Sequence, residues 1–113
     1  MYMKTYTLKR SGRKDKKFVM IMPDEGHSHH FGQIGYRDYT LINDPESKFY
    51  ISDEAERKKV RKAYRDRHRN DKGLGNRHAP SELAWSILWT KPTLKQSIKY
   101  YEKKFNVKVI DET

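Results

Sequence analysis

Residues 3–22, MKTYTLKRSGRKDKKFVMIM, decide the fold, because they carry two strand patterns on either side of a turn. Tyr6 and Leu8 alternate with Thr5, Thr7 and Lys9, the two-residue period of a half-buried strand over 3–10. Ser11, Gly12 and Asp15 then interrupt the pattern with turn-forming residues. Lys16–Met22 is apolar enough for a second strand, and Pro23, Asp24 and Gly26 end it. A third candidate spans 29–42, HHFGQIGYRDYTLI, where Gly32 and Gly35 mark a bulge or a close approach of backbone. The expected product over 1–44 is an antiparallel meander of about three strands.

Downstream of Pro45 the periodicity changes. Ser52, Asp53, Glu54 and Glu56 place a capping side chain and acids where a helix amino terminus favours them, so a helix is expected over about 53–69. A loop, NDKGLGNRHAP, follows it. Residues 81–89 are apolar nearly all round, which marks a short, deeply buried helix, and Pro92 stops it. Thr93 and Gln96 form a capping box for a last helix, with Leu94, Ile98, Tyr101 and Phe105 on one face. Asn106 can end that helix, and VKVI, 107–110, can add an edge strand. The fold class expected is α+β: one domain, a small antiparallel sheet followed by three helices, the helical part covering 52–113.

Composition agrees with one core. The chain has 113 residues, of which 35% are hydrophobic, 35% charged and 12% aromatic. Disordered chains are poor in aromatics, so this is a folded domain with a heavily charged surface. Cysteine is absent, which excludes disulfides and thiolate metal sites. No apolar run is long enough to cross a membrane and no signal peptide is evident, so a soluble protein with no membrane partner is expected, intracellular or carried in a particle. Net charge is +10, a bias toward phosphate-bearing partners. The charge is segregated: residues 1–17 carry +6, 18–56 carry −6, 57–69 carry +7 and the remainder +3.

The basic block lies in the middle helix. ERKKVRKAYRDRHRN, 56–70, holds eight Lys or Arg in fifteen positions. At about 100° per residue, Lys58, Arg61, Lys62, Arg65 and Arg69 share one side, and Val60, Ala63 and Tyr64 point nearly opposite. Asp66 is the only acid between Arg57 and Arg69, so few salt bridges relieve the repulsion. A water-facing cationic row suited to phosphates is expected. The turn between the first two strands adds Arg10, Arg13 and Lys14, and two such patches can follow a duplex. If about six phosphates are engaged, the logarithm of affinity falls with the logarithm of salt at a slope near −5.

Other motifs rank lower. In GYRDY, Tyr36 and Tyr39 flank Arg37 and can stack on bases, although at least one belongs to the core, as Trp85, Trp89, Tyr101 and Phe105 do. DEGHSHHFG contains zinc-ligand residue types, but His68 and His78 are the only other histidines and complete no tetrahedron, so no metal and no cofactor are assigned. The acids are scattered and no catalytic residues are expected.

The stretches KTYTLKRSGRKDKKF, HFGQIGYRDYT, YRDRHR and WTKPTLKQSIKYYEKKF resemble a family of short uncharacterised proteins encoded by large nucleocytoplasmic (giant) DNA viruses. The resemblance covers most of the chain and implies a viral origin, hence a place in the virion, the virus factory or the nucleus of an infected cell. It brings no activity. With the charge pattern, the expected function is sequence-nonspecific nucleic-acid binding, to DNA rather than RNA, in genome compaction or packaging. The alternative is a structural virion component, a minor capsid or cement protein contacting acidic capsid or core proteins. Oligomeric state is open at this level.

Overall fold

The hairpin forms where the alternation places it. In the computed structural model, which describes residues 4–113, β1 (Lys4–Arg10) and β2 (Lys16–Met22) pair antiparallel, with Leu8 opposite Met20 and Arg10 opposite Phe18. Met3, the expected first residue of β1, lies outside the described residues. β3 (His27–Gln33) pairs antiparallel with β2 and completes the meander. Tyr6, Leu8, Phe18, Met20, Met22 and Phe31 turn to one face and are buried there.

The third strand is shorter than the expected 29–42. It stops at Gln33, and Gly35 takes a positive φ of 90° that directs the chain out of the sheet. Asp38 then caps a four-residue helix, α1 (Tyr39–Ile42), by accepting from Leu41 N at 3.0 Å and from Thr40 Oγ1 at 2.5 Å. The close approach expected at Gly32 is real: φ is 77°, and a Cβ there would lie 2.8 Å from Leu88 Cδ1.

The basic segment forms α2 (Glu54–His68), capped by Asp53, whose side chain accepts from Ala55 N at 3.0 Å. The apolar segment forms α3 (Pro80–Leu83), which widens into a π-helical turn over Ala84–Leu88. α4 (Leu94–Phe105) starts at Thr93, which accepts from Gln96 N at 3.2 Å, and ends at Asn106 in the left-handed conformation, φ 53°. These helices supply Leu83, Ile87, Leu88, Trp89, Ile98 and Tyr101 to the core shared with the sheet. A small sheet with its helices gathered against one buried face is an α+β domain.

The carboxy-terminal edge strand also forms, and it changes the sheet. β4 (Val107–Glu112) lies beside β1 and parallel to it, so the order is β3-β2-β1-β4 and the sheet is mixed rather than purely antiparallel. Val107 and Val109 face the core, and Ile110, 41% exposed, faces away from it.

A buried carboxylate ties the helical part together. Glu82 is fully buried, accepts from Gly75 N at 2.8 Å and from Ser86 Oγ, and pairs with Lys104 Nζ at 3.1 Å. One side chain thereby links α3, its π-helical turn, the 71–79 loop and α4.

Candidate nucleic-acid interface

α2 does not present the cationic row to water as expected. Its half-buried residues are Arg57, Val60, Arg61, Tyr64, Arg65 and His68, so the face against the protein is rotated toward the row and takes two of its members. The cause is the backbone that follows Leu88. Arg61 reaches the carbonyls there, Nε donating to Trp89 O and Nη2 to Thr90 O, each at 3.0 Å. A guanidinium fork suits carbonyl oxygens near a helix end that lack intrahelical partners. Arg65 lies over the Trp85 ring, 4.4 Å from its centroid; burial, with repulsion from Arg61, lowers its basicity from the ordinary value. Tyr64 stacks on Trp89 at 4.2 Å and 5° between planes, and burial pushes its phenol up to about 12. The expectation for Arg61 and Arg65 is therefore corrected: both are turned toward the protein.

The rest of the row stays outside. Lys58 and Lys62 are 68% and 77% exposed, and each pairs one turn away, Lys58 with Glu54 at 3.5 Å and Lys62 with Asp66 at 2.6 Å. Such exposed pairs add little to stability, yet they lower the field the helix offers to a polyanion. Arg69, just past the helix, is exposed.

The hairpin tip keeps its cations. Arg13 and Lys14 are exposed and form no ion pair among the described residues. Arg10 donates from Nε to Thr113 O at 3.2 Å and lies 6.0 Å from the Phe18 ring centroid. His30, held at 2.7 Å from Ser11 Oγ, has its imidazole lowered first by burial, then by the charge of Arg13 and Lys16.

The fold joins this tip to α2 through the 34–38 loop. Two grooves flank Tyr36, with volumes of about 650 and 460 Å³. The larger runs between the hairpin tip, α1 and the start of α4, with Arg10, Phe18, Leu41, Phe49 and Leu94 on its walls. The smaller runs between β3 and the carboxy-terminal half of α2, with Lys16, Arg37, Tyr64, Arg67 and Trp89 on its walls. Lys17 lies beneath the loop, 13% exposed, its Nζ donating to Tyr36 O at 2.6 Å and to Asp38 at 2.7 Å. That pair neutralises the one carboxylate of the smaller groove. Lys16, Arg37 and Arg67 have no ion pair among the described residues.

Sequence reasoning named Tyr36 and Arg37 as neighbours but did not place Arg67 or Lys16 beside them. Arg67 follows Val60, Ala63 and Tyr64 at helical spacing, so the wall it shares with them was encoded in the apolar stripe. Of the two GYRDY tyrosines, Tyr39 packs against the core and Tyr36 is 64% exposed.

A separate network occupies the β2–β3 turn, where the fold brings up the remote histidine. His78 Nε2 lies 3.2 Å from Asp24 and Nδ1 2.8 Å from Glu25, whose other oxygen is 2.7 Å from His29 Nε2. Tyr6 Oη donates to Asp24 at 3.0 Å and accepts from Arg77 Nε at 2.8 Å. Burial acts to raise the Asp24 carboxyl, but hydrogen bonds from His78, Tyr6 and Arg77 outweigh it and hold it below the ordinary value. The hydrogen bond from His29 chiefly does the same for Glu25. Among the described residues, no group of three or more His, Cys, Asp or Glu is arranged to hold a metal ion.

Residues 6–51 match a family model described as a family of unknown function (DUF5754). That span includes the hairpin tip, Tyr36 and Arg37 and stops short of α2. No curated protein and no solved structure gives a match.

Proposed function

We propose that this protein binds nucleic acid without sequence preference, through the face formed by the hairpin tip, the 34–38 loop and the end of α2. The observation that carries this reading is a set of cations on one groove that form no ion pair among the described residues, Lys16, Arg37 and Arg67, with the groove's carboxylate Asp38 already neutralised by Lys17. Arg13 and Lys14 extend the positive field at the tip, and Arg10 lies on the adjoining groove. Phosphate contacts of this kind position a chain but read no bases, which fits nonspecific binding. Lys58, Lys62 and Arg69 add long-range attraction that salt screens.

The resemblance to giant-virus proteins suggests only a setting, the particle or the infected cell; in that setting, the charge pattern supports compaction or packaging of a DNA genome as the role. The test is a titration with random-sequence DNA at about 50 and 200 mM salt, between which a protein contacting several phosphates loses orders of magnitude in affinity. Steep salt-dependent binding is the expected result. Absence of binding at the lower salt, with the protein present in stoichiometric copies in purified particles, would replace this reading with that of a structural virion component.

A further inference from the structure

Tyr36 is the most exposed of the large hydrophobic side chains among the described residues, at 64% exposure, and it stands between two concave grooves. Its position is fixed from below. Lys17 is bonded to the Tyr36 carbonyl and to Asp38, and Asp38 in turn caps α1. An aromatic ring presented to water on so anchored a loop gains nothing for the fold. Both grooves are of a size that encloses small organic groups, about 300–1,000 Å³. Their walls are partly aromatic or apolar, with Phe18, Leu41, Phe49 and Leu94 on one side and Tyr64 and Trp89 on the other. The cations of the smaller groove favour an anionic occupant over a neutral one.

We propose that Tyr36 is a stacking post for unpaired bases, and that the grooves beside it seat a single-stranded nucleic acid whose phosphates are held by Lys16, Arg37 and Arg67. This rests on the nucleic-acid reading above and narrows it to one form of the polymer. A duplex turns its phosphates outward and keeps the faces of its bases stacked internally, so an exposed tyrosine between two hollows has nothing to meet. A single strand offers free base faces at each nucleotide, and stacking on an aromatic ring is tolerant of sequence. Apolar wall and cation occur together in the smaller groove, as base and phosphate do in a nucleotide. An acidic peptide would satisfy the charge but not the ring.

The test compares three fluorescently labelled probes by anisotropy: a short oligothymidine, an abasic strand with the same number of phosphates, and a duplex of equal length. Oligothymidine is expected to bind more tightly than the abasic strand, by about 5- to 150-fold for each base stacked. Tyr36→Ala should remove that difference and Tyr36→Phe should keep it. Circular dichroism and a thermal melt serve as fold controls, and neither variant should alter them, because the side chain is largely exposed. If the abasic strand binds as well as oligothymidine, or if Tyr36→Ala leaves the preference intact, stacking is wrong while nonspecific phosphate binding survives. If an acidic peptide displaces oligothymidine at equal charge, the site is one for acidic protein segments and the proposal falls. If none of the three probes binds, the broader reading fails and takes this one with it.

Discussion

Arg61 shows why the charge on a side chain does not settle where it goes. Its two hydrogen bonds satisfy carbonyls at Trp89 and Thr90, and its guanidinium lies 5.4 Å from the Tyr39 ring centroid. Hydrogen bonds to a charged group are stronger than neutral ones, so Arg61→Ala is expected to destabilise the domain by about 2–3 kcal/mol. Lys62→Ala, one position along, should change stability by less than about 0.5 kcal/mol. Urea denaturation of the two variants measures both; equal effects would mean that Arg61 does not hold those carbonyls. A second expectation concerns Asp24, whose folded carboxyl is held below its ordinary value of 3.8. A depressed carboxyl stabilises the fold above the unfolded value, and that stabilisation is lost as pH falls through the folded value. The urea midpoint should therefore drop below about pH 4, and less steeply in Asp24→Asn. An unchanged acid limb in that variant would show that Glu25 and the other carboxylates carry the whole effect.

Secondary structure was legible to the extent that it depends on local pattern. Alternation and turn residues place β1 and β2, Asp53 and His68 bound α2 within a residue or so of expectation, and Thr93 and Asn106 delimit α4. Three features depend on tertiary contact and were not legible. The rotation of α2 is set by carbonyls some thirty residues away, and a helical wheel treats an arginine as polar wherever its stem lies. The pairing of β4 with β1 is parallel and remote in sequence. Glu82 reads as the acidic first turn of an apolar helix, yet it is fully buried against Lys104. Removing the partner of a buried charge is more damaging than removing a surface pair. Lys104→Met is accordingly expected to destabilise by about 3 kcal/mol, and adding Glu82→Leu should recover part of the loss. Chemical denaturation of the single and double variants checks this; a Lys104→Met protein as stable as the parent would mean that Gly75 and Ser86 suffice for Glu82.

For the whole molecule, the segregation of charge along the sequence becomes a distribution in space that the linear order does not give. The basic hairpin tip and the basic helix meet around the 34–38 loop, although that loop belongs to the acidic part of the chain. Its carboxylate Asp38 is neutralised by Lys17, while Arg37 remains available beside Arg67. On the proposed reading, the interface draws on three segments, and the row on α2 that the sequence emphasised contributes mainly background attraction. The most direct measurement is polyanion binding by two charge-reversed variants of equal net charge, Arg37→Glu/Arg67→Glu and Lys58→Glu/Lys62→Glu, with circular dichroism as the fold control. Loss of two phosphate contacts in the first should lower affinity by at least about tenfold and flatten the salt slope by about 2. The second should bind within a few-fold of the parent with an unchanged slope. Equal losses in the two variants, or a larger loss in the second, would contradict a groove-centred interface.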